Sequence, residues 1–339
     1  MTASPSTEIH FEIHPSRARV PAAERERILA APGFGQVFTD HMITLRWSAE
    51  RGWHDGKLEP YGPFALDPAT SVFHYAQELF EGLKAYRQDS GSIVMFRPQA
   101  NAARFNSGAR RMAMPELPEE TFLRALELLV TQDKEWIPQG EGNSLYLRPF
   151  MIATQRGLGV NHPSDSFLFC VIASPAASYF GATKTVKVWL SEDYTRAVPG
   201  GTGAVKCGGN YAAAFVAQQQ AVEEGCDQVV WLDAANHRWV EEMGGMNLFF
   251  VRGGAEPWIA TPPLTGTLLP GITRDSLLKL APQLGVKAVE EPITIDQWQA
   301  EWLVADGEPG PVTMRLREEL VAIQYGHHPD PFNWIHKVC

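Results

Sequence analysis

Lys206 stands alone among glycines. The stretch PGGTGAVKCGGNY, residues 199–211, sets Gly200, Gly201, Gly203, Gly208 and Gly209 around that single lysine. Glycine clusters let the backbone take unusual dihedrals and approach a ligand closely. Two phosphate motifs fail on specific positions. A P-loop needs Gly directly before the Lys and Ser or Thr after it, whereas Val205 and Cys207 stand there. A dinucleotide fingerprint needs a third Gly where Lys206 falls. What remains is a lysine with no acid near it in sequence. With its pKa depressed, such a lysine forms a Schiff base with a carbonyl compound, pyridoxal phosphate among them. A surface loop with an incidental lysine fits the local pattern equally well.

Two carboxylates follow in WVEEMGGMN. Strand alternation sends Glu241 and Glu242 to opposite faces, one into a pocket and the other toward solvent. A buried glutamate can pair with a protonated pyridine nitrogen; two solvated hairpin charges are the blander alternative. Gly271, Ile272 and Thr273 lead into a helix. A helix N-terminus offers free N–H groups and a positive dipole end to an anion, although Thr273 as a plain cap is the common case. Arg104 lies in NAARFNSGARR, and Arg148 in SLYLRP beside Tyr146. A guanidinium suits carboxylate or phosphate, but a surface ion pair is its commoner use.

These groups need elements to hold them. Residues 1–33 read as an irregular lead-in. QVFTDHMITLRW, 36–47, alternates as a strand does. The run FHYAQELFEGLKAYR, 73–87, carries Gly82 inside it, which signals a bend or a close backbone approach. Phe122, Leu123, Leu126, Leu129 and Val130 share one face of a helix over 121–137, ended by Pro138. SFLFCVIA, 166–173, is a buried strand. A loop of small residues from Ser174 to Thr185 marks a domain boundary, and a new strand starts at Val186. A helix is expected from Tyr211 to Glu224, closed by Gly225. QVVWLDA and VEEMGGMNLFFV pair as strands across AANHR. Helices are expected from Thr273 to Leu284 and from Pro311 to Tyr325. Strands and helices mix in both halves, so the class is α+β (mixed α/β).

Composition bounds the function. The chain has 339 residues, 45% hydrophobic and 20% charged, which is enough for sizeable cores. Lys and Arg number 29 against 39 Asp and Glu, a net charge of −10, so neither nucleic acid nor an anionic membrane is an expected partner. No apolar run reaches the length of a bilayer span. Glu8 and Glu12 interrupt the N-terminal stretch, so a secretory signal or transit peptide is not expected. Cys170, Cys207, Cys226 and Cys339 are widely spaced, which excludes a zinc framework and fits reduced thiols in the cytoplasm.

Taken together, FTDHM, ELFEGLKAY, FRP…R, SLYLRP, GGTGAVKCGGNYAAA, EEMGGMNLFF and TPPLTGTLLPGITRDS occur in one order. That ordered set resembles the branched-chain amino acid aminotransferases, pyridoxal-phosphate enzymes of fold type IV. The resemblance runs from about Phe34 to Leu284 and resumes from Gly307 to Gly326. It implies a small domain over 1–180, a linker over 181–185 and a large domain over 186–339, with pyridoxal 5'-phosphate between the domains. It implies reversible transamination of leucine, isoleucine and valine with 2-oxoglutarate. Lys206 would be the Schiff-base residue and the proton shuttle. Tyr211 would meet the cofactor's phenolic oxygen, and Glu242 its pyridine nitrogen, with Glu241 pointing away. Arg104 would bind the phosphate, helped by Ile272 and Thr273, and Arg196 would support the cofactor. For substrate the family pattern implies Phe34, Tyr75, Tyr146, Arg148 and Tyr179. Val160 would reach into a partner's site, which implies a homodimer. No metal is implied.

The chain departs from the family twice. After ITIDQWQA, 293–300, the family continues with a strand, a tight G-T-A turn and another strand; here Ala300 runs straight into EWLVADGEPGPV. The reading taken is that the stretch is left out of the sequence rather than deleted from the protein. Gly245 stands where some relatives have threonine. The rival readings are a D-amino acid aminotransferase, an aminodeoxychorismate lyase, and a non-catalytic relative that keeps the fold.

Overall fold

The computed structural model describes residues 9–177, 185–252, 254–301 and 308–339. The chain forms two compact units. The first takes residues 1–179 and 324–339, and the second takes 180–323.

The first unit is built on a nine-stranded sheet. Strand His41–Ser48 lies between Gly52–Pro60 and Ser166–Ala176, antiparallel to both. Ser166–Ala176 then pairs with Ser144–Ala153, which pairs in turn with Leu83–Arg87 and with Glu78–Phe80. Ser144–Ala153 alternates strictly. Leu145, Leu147, Met151 and Ala153 are buried, while Tyr146, Arg148, Phe150 and Ile152 line the opposite face half-buried. That alternation follows from the two-residue repeat of a pleated strand. Helices Pro98–Arg111 and Glu119–Gln132 supply Phe105 and Phe122, which pack with Phe169 of the sheet at centroid distances of 5.4 to 6.0 Å. The predicted helical face holds, with Phe122, Leu126, Leu129 and Val130 all buried. Gly82 falls between two short strands. A Cβ there would stand 2.0 Å from the Tyr146 hydroxyl, so the expected close approach is to a side chain.

One buried pair ties strand to helix. The His41 ring lies 2.6 Å from Asp133 Oδ1, and the Asp133 carboxylate also accepts the His41 backbone N–H at 3.0 Å. Nε2 of His41 accepts the Ser16 amide at 2.8 Å. The ring proton therefore sits on Nδ1 and is donated to Asp133.

The chain's end corrects the expected domain limits. Residues 324–339, assigned by sequence to the large domain, return to the first unit. Ile335–Lys337 pairs antiparallel with Ile93–Phe96, and the Tyr325 hydroxyl donates to Asn143 O at 2.6 Å. Without that strand, Ile93–Phe96 would be an open edge with unpaired backbone groups.

The second unit holds two smaller sheets. In one, Gln228–Leu232 lies between Val240–Met243 and Val188–Leu190, and Val240–Met243 also pairs with Met246–Asn247. The predicted hairpin is present, and Asp233 anchors its turn by accepting the amides of Asn236, Arg238 and Trp239. In the other, Trp258–Thr261 lies between Phe250–Arg252 and Lys287–Glu290. The helix expected over 211–224 is broken into Gly208–Ala212 and Phe215–Glu223. Ala214 N–H bonds three residues back, to Tyr211 O at 3.0 Å, and this tightening ends the first segment. Helix Pro311–Tyr325 matches its expected span. Among the described residues, no helix is long and apolar enough to cross a membrane.

Asp133→Ala removes the acceptor of two buried N–H groups. The expected loss is about 3 kcal/mol of stability, read as a lowered urea midpoint of unfolding. An unchanged midpoint would show that the pair is not an anchor.

Candidate functional site

The glycine loop lies against a second backbone segment. A Cβ on Gly203 would fall 2.2 Å from the Thr267 carbonyl oxygen, so only glycine permits the contact. Gly200 has φ +79°, a left-handed conformation that glycine takes freely. Asn210 ties the loop from inside: it donates to Thr202 O and Val205 O, both at 2.8 Å, and accepts from the Thr202 hydroxyl at 2.7 Å. Lys206 leaves this frame half-buried, and its Nζ donates to the Tyr211 hydroxyl at 2.9 Å.

Glu242 is the most deeply buried charged residue among the described residues of the second unit, 1% exposed. Its Oε1 accepts from Leu269 N–H at 2.8 Å and from Asn247 Nδ2 at 3.1 Å. Its Oε2 lies 3.0 Å from Arg196 Nε, an attraction of charges without hydrogen-bond alignment. That oxygen therefore has no hydrogen-bond partner among the described residues. Burial raises the Glu242 pKa above the ordinary carboxylate value, against the pull of Arg196, the Leu269 amide and Lys206. Arg196 directs its other donors to the protein, to Thr267 O at 2.8 Å and Gly203 O at 3.3 Å. It thus joins the glycine loop, the Thr267 segment and the carboxylate.

Glu241 does not meet solvent as expected. It is 7% exposed and accepts the Thr267 hydroxyl. The physical reason is that the segment carrying Thr267 lies against that face of the strand. Burial raises the Glu241 pKa as well, opposed by the Thr267 hydrogen bond and Arg196. Gly245 lies under Tyr211: a Cβ there would meet the ring at 3.5 Å, ordinary contact.

Helix Ile272–Leu280 begins after Gly271 with no side-chain cap. Thr273 is exposed and its hydroxyl has no partner among the described residues, so it does not cap its own helix. The first turn thus presents amides and a hydroxyl to an anion.

Two clusters stand in the first unit. Arg104 is gripped by Glu81, Nε to Oε1 at 2.7 Å and Nη2 to Oε2 at 2.8 Å, and Asn101 steadies the same carboxylate at 2.8 Å. In the other cluster, Arg148 Nη2 donates to the Tyr146 hydroxyl at 3.1 Å. The guanidinium lies 4.7 Å from the Phe80 ring centroid and 5.4 Å from that of Tyr146. Phe34 meets Tyr146 edge-on at 5.0 Å. Arg148 has no ion pair among the described residues, and its buried Nε has no hydrogen-bond partner. Tyr75 is found instead with the loop that carries Val160, its hydroxyl donating to Leu158 O. Tyr179 lies outside the described residues.

Sequence reading missed Glu81, Phe80, Asn210, Asn247 and Thr267. The first four sit inside motifs already singled out, and Thr267 lies in TPPLTGT. Their roles depend on contacts that no local pattern carries.

The chain matches the family model described as Amino-transferase class IV over residues 78–305. It is 52% identical to the probable branched-chain-amino-acid aminotransferase of Streptomyces coelicolor, covering 97% of this chain and 99% of that protein. It is 51% identical to the branched-chain-amino-acid aminotransferase of Mycolicibacterium smegmatis, covering 97% and 98%. The crystal structure of the Escherichia coli branched-chain amino acid aminotransferase shares the fold, with a TM-score of 0.75 at 24% identity, covering 88% of this chain and 99% of that one. The branched-chain amino acid aminotransferase from Thermobaculum terrenum, crystallised in its PLP form, shares it too, with a TM-score of 0.71 at 22% identity, covering 87% and 98%. The Streptomyces alignment spans 361 positions, of which 97% of 339 residues fills about 329, leaving about 32 with no residue of this chain. The 339 residues run unbroken past Ala300, and residues 302–307, where the sequence reading sets the missing stretch, lie outside the described residues.

A raised carboxyl pKa means that the folded protein binds a proton more tightly than the unfolded chain does. Stability from Glu241 is therefore full below the ordinary carboxylate value of 4.5 and is lost as pH rises from there through the raised value. Glu241→Gln keeps an acceptor for Thr267 and abolishes that slope. Urea midpoints measured upward from about pH 4.5 should show the parent losing ground to the variant. Parallel curves would contradict the assignment.

Proposed function

The chain belongs to the class IV aminotransferase family, and from that membership we propose that it interconverts leucine, isoleucine and valine with their 2-oxo acids, glutamate and 2-oxoglutarate forming the other pair. The observation that carries this reading is the second unit's pairing of a half-buried lysine with a buried carboxylate that keeps one open acceptor.

Pyridoxal phosphate suits these residues. Glu242 Oε2 can accept a hydrogen bond from a protonated ring nitrogen, Lys206 can take an aldehyde, and the uncapped helix at Ile272 and Thr273 can take a phosphate. When bound, that group supplies an electron sink for negative charge at the substrate α-carbon. Lys206 Nζ takes the proton from that α-carbon and returns it in the reverse direction. Tyr211 holds the lysine amine by hydrogen bond and faces the phenolic oxygen. Arg196 pulls Glu242 toward its ionised form against the effect of burial, and the Leu269 and Asn247 donors fix its carboxylate plane. Arg104 is assigned to the phosphate, oriented by Glu81.

On the substrate side, Phe34 and Tyr146 offer aromatic walls to a branched side chain, and Arg148 offers a charge to a distal carboxylate. Tyr75, Val160 and Tyr179 complete the proposed set. Tyr75, Leu158 and Val160 are 42%, 64% and 68% exposed, which supports a homodimer in which this patch is covered by the second copy. The proposed location is the cytoplasm.

The test is the absorption spectrum of the purified protein after addition of pyridoxal phosphate. A visible band is expected that fades on adding L-leucine and not D-alanine, and that Lys206→Ala abolishes. No band in the parent protein would overturn the reading and favour a non-catalytic relative.

A further inference from the structure

Lys84 belongs to none of the roles assigned so far. It lies in strand Leu83–Arg87, in register with Tyr146 of the neighbouring antiparallel strand. Residues directly opposed in such a pair project from the same face, with Cβ atoms about 5 Å apart. Lys84, Tyr146 and Arg148 therefore share one face of the sheet, while Leu83, Leu145 and Leu147 fill the core on the other.

Beside Tyr146, that face carries two cations, neither of them paired with an acid among the described residues. Lys84 is half-buried, with neither hydrogen bond nor ion pair among the described residues. Arg148 has no ion pair there either, and its Nε is buried without a partner. Loss of water around Lys84 lowers its pKa, with no neighbouring carboxylate to oppose the shift. A cation withdrawn from water without an anion is costly. That cost is relieved by a ligand that brings a carboxylate.

On the transaminase reading above, we propose that Lys84 is the second cation of the subsite built on Tyr146 and Arg148, and that it selects for the distal carboxylate of the five-carbon dicarboxylic substrate pair. An apolar branched side chain entering the same subsite meets Phe34, Phe80 and Tyr146 instead. It has no charge for Lys84 to bind. The lysine therefore serves one half-reaction and is idle in the other.

Lys84→Met keeps the length and apolar stem and removes the charge; Lys84→Arg keeps the charge. In steady-state kinetics, Lys84→Met is expected to raise KM for glutamate and 2-oxoglutarate about tenfold, or about 1.4 kcal/mol. KM for leucine should stay within about twofold, and Lys84→Arg should recover most of the loss. Calorimetric binding of glutarate and of 4-methylpentanoate gives the same comparison without turnover. Glutarate should weaken about tenfold in Lys84→Met while 4-methylpentanoate is unchanged. Equal weakening of both acids, or unchanged glutarate binding, overturns the proposal. A parent protein that binds glutarate through Lys84 yet transfers no amino group would overturn the transaminase reading and leave this subsite standing.

Discussion

A carboxylate taken almost wholly out of water is the constraint around which the second unit is organised. Desolvation of a buried anion outweighs a single charged partner, and burial raises the Glu242 pKa in spite of Arg196, so the carboxylate demands further donors. The unit meets that demand from three directions: an amide from the Thr267–Leu269 segment, a side-chain amide from Asn247, and the Arg196 guanidinium. Arg196 in turn needs carbonyls, which the glycine loop and Thr267 supply. The loop can lie close enough only because residue 203 has no side chain. Lys206 is thus placed by the same contacts that sustain the buried acid.

The first unit solves the opposite problem. Glu81 accepts two parallel hydrogen bonds from Arg104 and a third from Asn101, so this guanidinium is held in one orientation by an acid of its own. Arg148 and Lys84 are incomplete by the same standard. One unit keeps an acid with an acceptor to spare, and the other keeps cations with donors to spare. Chemistry that exchanges a neutral side chain for a charged one needs the second arrangement, because a fully paired arginine would have nothing to offer a carboxylate.

Much of this was legible in sequence where the signal was a residue type at fixed spacing. Lys206 and Tyr211, picked out by the lysine–glycine motif, meet through a hydrogen bond, Glu242 is buried, and the hairpin, the buried helical face and the helix over 311–325 follow from periodicity and punctuation. What was not legible is what long-range contact decides. Glu241 is buried because the Thr267 segment covers its face of the strand, which alternation cannot supply. Thr267 matters through a partner 26 residues away. The break at Ala213 and Ala214 interrupts a run of good helix formers, and propensity argued for continuity there. Tyr75 belongs with the Val160 loop, although the resemblance set it in one substrate group with Tyr146 and Arg148.

The return of residues 324–339 to the first sheet makes the second unit an insertion within the first. A ribosome delivers residues 93–96 long before residues 335–337. During synthesis the sheet therefore waits with an unpaired margin while the whole second unit emerges. Local contacts close early in folding, and contacts distant in sequence close late. The final strand is the last to be made and joins the sheet across more than two hundred residues of chain. Completion of the first unit thereby waits on synthesis of the second. A chain interrupted within the second unit leaves the ribosome with an adhesive strand edge, open to pairing with other chains.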